Sequence, residues 1–242
     1  SSITAVGNTL YFFASDGTTG NELWRSDGTT FGTIGIKDIN SGNLSSVPLA
    51  DYWRIISNIS NTIYFQADDG TNGTELWKSD GTTTGTTMVK DINSGSSSSF
   101  PGMFTAIGNT LYFSADDGTN GTELWKSDGT TTGTVMVKDI NSGNASSFYS
   151  SMTSGCGRGL TAIGNTLYFS ADDGTYGCEL WKSDGTANGT MMIQDMNRGT
   201  SSSDPYGFIA LGNSILFTAT HETRGRELFI NHYEVAQVIM YS

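Results

Sequence analysis

Five copies of one roughly 50-residue unit run through this chain, and that periodicity constrains its fold more than any other feature. Asn-Thr-Leu-Tyr-Phe or a variant starts at Asn8, Asn61, Asn109, Asn165 and Asn213. Glu-Leu-Trp or Glu-Leu-Phe starts at Glu22, Glu75, Glu123, Glu179 and Glu227, each 14 positions after its Asn. Successive Asn lie 53, 48, 56 and 48 residues apart, and the differences fall in the stretch after Lys-Asp-Ile-Asn or its counterpart. Length that varies at one point of a repeat marks loops on one face of a stacked array.

The third copy displays the unit. Phe104 to Ile107 reads as a first strand, ended by Gly108-Asn109. Thr110 to Ala115 puts Leu111, Phe113 and Ala115 on one face and Tyr112 and Ser114 on the other, and Asp116-Asp117-Gly118 turns the chain. Glu123 to Ser127 makes a third strand. Asp128-Gly129 turns again into Thr134 to Ile140, where Val135 and Val137 alternate with Met136 and Lys138 as on a partly exposed outer strand. The unit is a four-stranded antiparallel meander. Leu, Tyr, Phe and Trp occupy both faces of its second and third strands, so each meander needs a neighbour on either side. Radial stacking supplies both. The expected fold is all-β, a five-bladed β-propeller of four-stranded antiparallel blades, with residues 1–242 forming one domain and blades near 1–53, 54–103, 104–159, 160–207 and 208–242. A linear stack is the alternative, and it would leave the aromatic faces of its end units wet. No segment has a 3.6-residue apolar period, so helix is not expected.

Composition narrows the partners. Thirty-one Gly with only three Pro fit many tight turns between short strands, and 11% aromatic residues give the chain a core to bury. A net charge of -12, with 12 scattered Lys and Arg, argues against nucleic acid, whose phosphates need a basic stripe. No apolar run approaches the roughly 20 residues of a membrane helix, so membrane insertion is not expected, and the first residues lack the marks of a signal peptide. Cys156 and Cys178, both in Gly-rich segments, are the two cysteines. A disulfide between them in an oxidising compartment and a pair of free thiols both remain open.

The run Glu123-Leu-Trp-Lys-Ser-Asp-Gly-Thr130, with near-copies at Glu22 to Thr29, Glu75 to Thr82 and Glu179 to Thr186, resembles the ELWxxDGT repeat of large bacterial surface and secreted proteins. Its layout is also similar to TolB-type propeller repeats. The resemblance covers nearly the whole chain. It implies a propeller and an extracellular or cell-surface setting, and it implies no catalytic residues. Five short blades are further similar, in architecture alone, to the tachylectin-2 type of animal lectin. The fifth copy departs from the pattern: His221-Glu222-Thr223-Arg224-Gly225 replaces the acidic turn, Phe229 replaces Trp, and the Ser-Asp-Gly-Thr turn is lost. Such divergence suits a terminal or ring-closing blade, which would place Ser242 near a natural end.

Several residue sets could carry a site. Asp68-Asp69-Gly70, Asp116-Asp117-Gly118 and Asp172-Asp173-Gly174, each with a Glu seven positions after the first Asp (Glu75, Glu123, Glu179), offer hard oxygen ligands to Ca²⁺, at three sites or fewer. The structural alternative is a tight turn at Asp-Gly, with the Glu accepting loop N–H groups. Trp24, Trp77, Trp125 and Trp181 recur at one position and could stack on sugars, although a mid-strand position suits packing between blades. Tyr52, Trp53, Phe100, Phe148, Tyr149 and Tyr206 lie in the stretches whose length varies, where a rigid scaffold commonly carries binding; they could equally plug the core. Asn43, Asn58, Asn72, Asn120, Asn144 and Asn188 open glycosylation sequons, meaningful only in a eukaryotic secretory pathway.

Enzymatic readings gain little from the residues. The two histidines, His221 and His232, stand in the degenerate copy, and the carboxylate pairs repeat with the blades whereas a catalytic pair occurs once. The expected function is therefore an extracellular, multivalent, lectin-like protein binding glycans or cell-surface glycoconjugates. The alternative is a self-associating structural or adhesive module, calcium-stabilised or not, without a small-molecule ligand. Any repeated function is expected chiefly in blades two to four.

Overall fold

The computed structural model describes residues 3–47, 57–149 and 156–232, in which nineteen strands and no helix occur. Each repeat makes one sheet. The first pairs β1 (Ile3–Val6), β2 (Thr9–Ala14), β3 (Glu22–Ser26) and β4 (Ile34–Lys37) in that order. The second pairs β5 (Ser57–Ile59), β6 (Thr62–Asp68), β7 (Thr74–Ser79) and β8 (Thr87–Lys90). The third holds β9 (Gly102–Ile107), β10 (Thr110–Asp116), β11 (Thr122–Ser127) and β12 (Val135–Lys138), and the fourth β13 (Thr161–Ile163), β14 (Thr166–Asp172), β15 (Cys178–Ser183) and β16 (Met191–Gln194). Among the described residues the fifth has three strands, β17 (Tyr206–Leu211), β18 (Ser214–His221) and β19 (Gly225–His232).

Local chemistry sets these limits. Val6 pairs with Thr9 across a two-residue turn whose Gly7 has φ +58°, the left-handed conformation a tight hairpin needs. Gly108, Gly164 and Gly212 do the same in copies three to five, whereas copy two adopts φ +54° at Ser60. The fourth strand of copy three is shorter than the expected Thr134 to Ile140. It stops at Lys138 because the Ile140 N–H is captured by the Glu123 carboxylate and leaves the ladder. In copies one, two and four the register between third and fourth strands shifts at the Leu-Trp pair, a bulge that adds twist to the outer edge of the sheet.

The chain divides into two compact units, residues 1–119 with 125–135 and residues 120–124 with 136–242. In the first, Phe13 meets Phe65 edge-on at 5.9 Å amid Leu23, Ile36, Ile63, Ala67 and Trp77. In the second, Phe217 and Phe229 stack at 5.7 Å beside Leu180, Met196 and Ile215. Residues on both faces of the central strands are buried: all five from Ile63 to Ala67 in β6, and the same five places in β10 and β14. The terminal copies depart from this. Leu10 is 42% exposed where its counterparts Ile63, Leu111, Leu167 and Ile215 are fully buried, and Leu228 is 51% exposed where Leu23, Leu76, Leu124 and Leu180 are buried.

Candidate functional site

The repeated carboxylates are engaged within the fold. Glu75 is completely buried; its Oε2 accepts the Ile92 N–H at 2.9 Å and the Ser99 hydroxyl at 2.6 Å, and its Oε1 accepts the Ser99 N–H at 2.9 Å. Glu123 makes the same set with Ile140 and Ser147, and Glu179 with Met196 and Ser203. Each Glu thus ties the loop after its own fourth strand. The Ser it holds then passes the link on, its carbonyl accepting an N–H from the second strand of the next copy: Asp68 to Ser46, Asp116 to Ser99, Asp172 to Ser147 and Thr220 to Ser203. Burial pushes the Glu123 and Glu179 carboxyls up to about 7, and those of Glu22 and Glu75 upward too, against the pull of these donors.

The acidic turns are likewise self-contained. Asp68 Oδ1 accepts the Gly70 N–H at 2.7 Å, while Asp69 Oδ1 accepts the N–H groups of Thr71 and Asn72. Asp116 and Asp172 accept from Gly118 and Gly174 in the same way, and Asp173 from Thr175 and Tyr176. Burial acts to raise the Asp69 carboxyl, but the Asn72 backbone and side chain and the Thr71 N–H outweigh it and hold it below the ordinary range. Gly70, Gly118 and Gly174 have φ near +80°, and a Cβ there would collide with Asn40, Asn93 and Asn141 of the preceding copy. Among the described residues no three His, Cys, Asp or Glu are grouped so as to hold a metal ion. The sets Asp68, Asp69, Glu75; Asp116, Asp117, Glu123; and Asp172, Asp173, Glu179 are therefore not brought together as ligand clusters: the Asp residues form the turn and the Glu points into the following loop.

Three of the four recurring tryptophans, Trp77, Trp125 and Trp181, lie under a cation from the preceding copy. Lys37 Nζ lies 5.6 Å from the Trp77 ring centroid, and Lys90 and Lys138 each lie 5.7 Å from Trp125 and Trp181. Each ammonium also donates to a backbone carbonyl, of Thr86, Thr134 and Thr190 respectively. Copy four carries Gln194 in place of the Lys, and copy five carries Phe229 in place of Trp; both line one cavity of about 190 Å³ with Asp195, Arg198, His221 and Glu222. Cation and indole are lost together. Nothing in the sequence pairs them, because they lie some 40 residues apart in different copies.

The loop aromatics divide. Phe148 is 2% exposed and packs on Phe169 at 5.7 Å, a plug over the core. Phe100, at the equivalent place, is 63% exposed with φ +46°. Tyr149 is 39% exposed and its hydroxyl donates to Asp172 Oδ2 at 3.2 Å. Tyr206 is half-buried and contacts two guanidiniums, with Arg158 Cζ at 4.7 Å and Arg226 Cζ at 4.8 Å from its centroid. Tyr52 and Trp53 lie outside the described residues. Cys156 and Cys178 are joined in a disulfide that ties the segment after Tyr149 to the start of β15. The exposed loop aromatics thus differ from copy to copy, whereas the scaffold residues repeat.

No protein-family model and no curated protein matches the chain. Among solved structures, a puromycin hydrolase mutant complexed with PGG is similar over 99% of this chain and 36% of its own, at TM-score 0.56 and 10% identity. Prolyl oligopeptidase B from Galerina marginata, bound to a 35mer hydrolysis and macrocyclization substrate, is similar over 100% of this chain and 36% of its own, at TM-score 0.54 and 10% identity. A putative TolB from Agrobacterium tumefaciens overlaps 99% of this chain and 79% of its own at TM-score 0.43 and 11% identity. The chain therefore spans little more than a third of the length of the first two structures. At such identity the likeness is one of fold. With one antiparallel sheet per repeat, the fold class is an all-β, five-bladed propeller.

Proposed function

We propose that the chain is an extracellular, non-enzymatic, lectin-like module that binds carbohydrate through its variable loops. The observation that carries this reading is the division of labour among side chains. Residues that repeat are consumed in joining one copy to the next, while Phe100, Tyr149 and Tyr206 stand partly open in loops on rigid sheets. A half-exposed phenol beside a carboxylate, as at Tyr149 and Asp172, combines an apolar face with a hydrogen-bond acceptor, the pairing a sugar ring calls for. The Cys156–Cys178 bond supports an oxidising, extracellular setting and holds that loop in place before a ligand arrives. The sites so formed are unlike one another, so their valency would not follow the repeat.

The alternative, a self-associating structural module, is favoured by one observation. Leu10 and Leu228 are open where their counterparts are buried. A glycan array probed with and without chelator, together with sedimentation over a concentration range, separates the two. Sugar-specific signal on a monomeric protein supports the lectin; a blank array with concentration-dependent association overturns it in favour of the module.

A further inference from the structure

Arg158 and Arg226 converge on Tyr206, all three within the second compact unit. Tyr206 opens β17 opposite Thr218, whose hydroxyl donates to the Tyr206 carbonyl at 3.4 Å. Arg226, the second residue of β19, donates from Nη1 to the Asp204 carbonyl at 3.1 Å. Arg158 follows Cys156 by two positions, in the segment that the disulfide fastens to β15. The ring is therefore held by strand pairing, one guanidinium by a strand and the other by a cross-linked loop. Three polar groups are in place before any ligand arrives.

Apart from that one bond from Arg226, no hydrogen bond from either guanidinium is formed among the described residues. Both guanidiniums are exposed, and among the described residues neither forms an ion pair with a carboxylate. The Tyr206 hydroxyl has no hydrogen-bond partner there either. Asp204 meets Arg226 through its backbone carbonyl, not its side chain. In a chain with twice as many acidic as basic residues, two neighbouring cations that meet no carboxylate among the described residues point to an external anion. A guanidinium offers its N–H donors as a planar fork that fits a carboxylate bidentately, and a contact with the face of an aromatic ring does not replace such a partner. Both guanidiniums are exposed, which leaves them within reach of an acidic group borne on a polymer.

We propose that Arg158, Arg226 and Tyr206 form a binding site for the carboxylate of an acidic saccharide, a uronic acid unit. The proposal rests on the carbohydrate-binding reading and gives that reading a ligand class. Isothermal calorimetry on the full chain would compare a short oligogalacturonate, the same oligomer as its neutral methyl ester, and acetate. The acid oligomer should bind and weaken with added salt, and binding should fall about tenfold or more for the ester and for R158Q or R226Q. Equal affinity for acid and ester overturns the charge-reading site while leaving carbohydrate binding intact. Acetate binding as tightly as the oligomer overturns the saccharide assignment. No binding of the oligomer overturns the site; the glycan array then shows whether the lectin reading fails with it. Both arginines are exposed, so their variants should melt with the parent chain. Tyr206→Phe, which keeps the ring and removes only the hydroxyl, should weaken the acid oligomer several-fold, and unchanged affinity in all three variants overturns the proposal.

Discussion

Glu123 shows what a single buried acid does in this fold. Its carboxylate satisfies N–H groups of a loop that has no ladder to join, so Glu123→Ala should leave several buried donors unpaired and cost about 3 kcal/mol or more, read by chemical denaturation. The same burial sets a pH dependence. Because the folded carboxyls of Glu123 and Glu179 sit near 7 and ordinary ones near 4.5, the folded state holds their protons more tightly. Their contribution is whole below about pH 4.5 and is lost as pH rises through about 7. Melting temperature should therefore be lower at pH 8 than at pH 5, and Glu123→Gln should flatten part of that slope; an unchanged slope in the variant would remove Glu123 as its source. At Ser60 the backbone adopts a left-handed conformation where four other copies have Gly, and Ser60→Gly should stabilise by roughly 1 kcal/mol in the same denaturation assay. The Asp-Gly turns could be read from sequence because their chemistry is local. The partners of Glu123 could not, since they lie 17 to 24 residues further on, in a loop whose path only the fold decides.

At the scale of strands and sheets, alternation of apolar and polar residues locates strands without saying what covers their faces. Strand limits in the third copy agree with the expected ones to within two residues at every end. The cover on the tryptophans was not legible, because a Lys on an outer strand reads as solvated until the next sheet is laid against it. The joint change to Gln194 and Phe229 gives this contact a direct test. Gln194→Lys and Phe229→Trp together should be more stable than the sum of the single changes by about 0.5 to 1 kcal/mol, in a double-mutant cycle. Additive effects would mean that the repeated Lys and Trp merely coincide. The loop aromatics were legible as a group and not individually: Phe100 and Phe148 hold equivalent places in the repeat, yet one is open and the other is a plug.

At the scale of the whole chain, copies two to four are joined by the same contacts each time: a Glu fixing a loop, a Ser carbonyl meeting the next strand, a Lys over the next Trp. Contacts so alike bind a neighbour firmly and identify it poorly. A sheet emerging from the unfolded state can be satisfied by the wrong copy, or by a copy from another molecule, with almost no loss of interaction. Only covalent order then favours the right one, and its advantage shrinks as other chains crowd in. Refolding from denaturant should therefore give monomer in dilute solution and an increasing fraction of swapped or tangled species as protein concentration rises, resolved by size-exclusion chromatography. A monomer yield independent of concentration would mean that the small differences among copies suffice to proofread the assembly. The divergence of the first and last copies gains a second meaning in that light: they are the places where a mistaken partner can be refused.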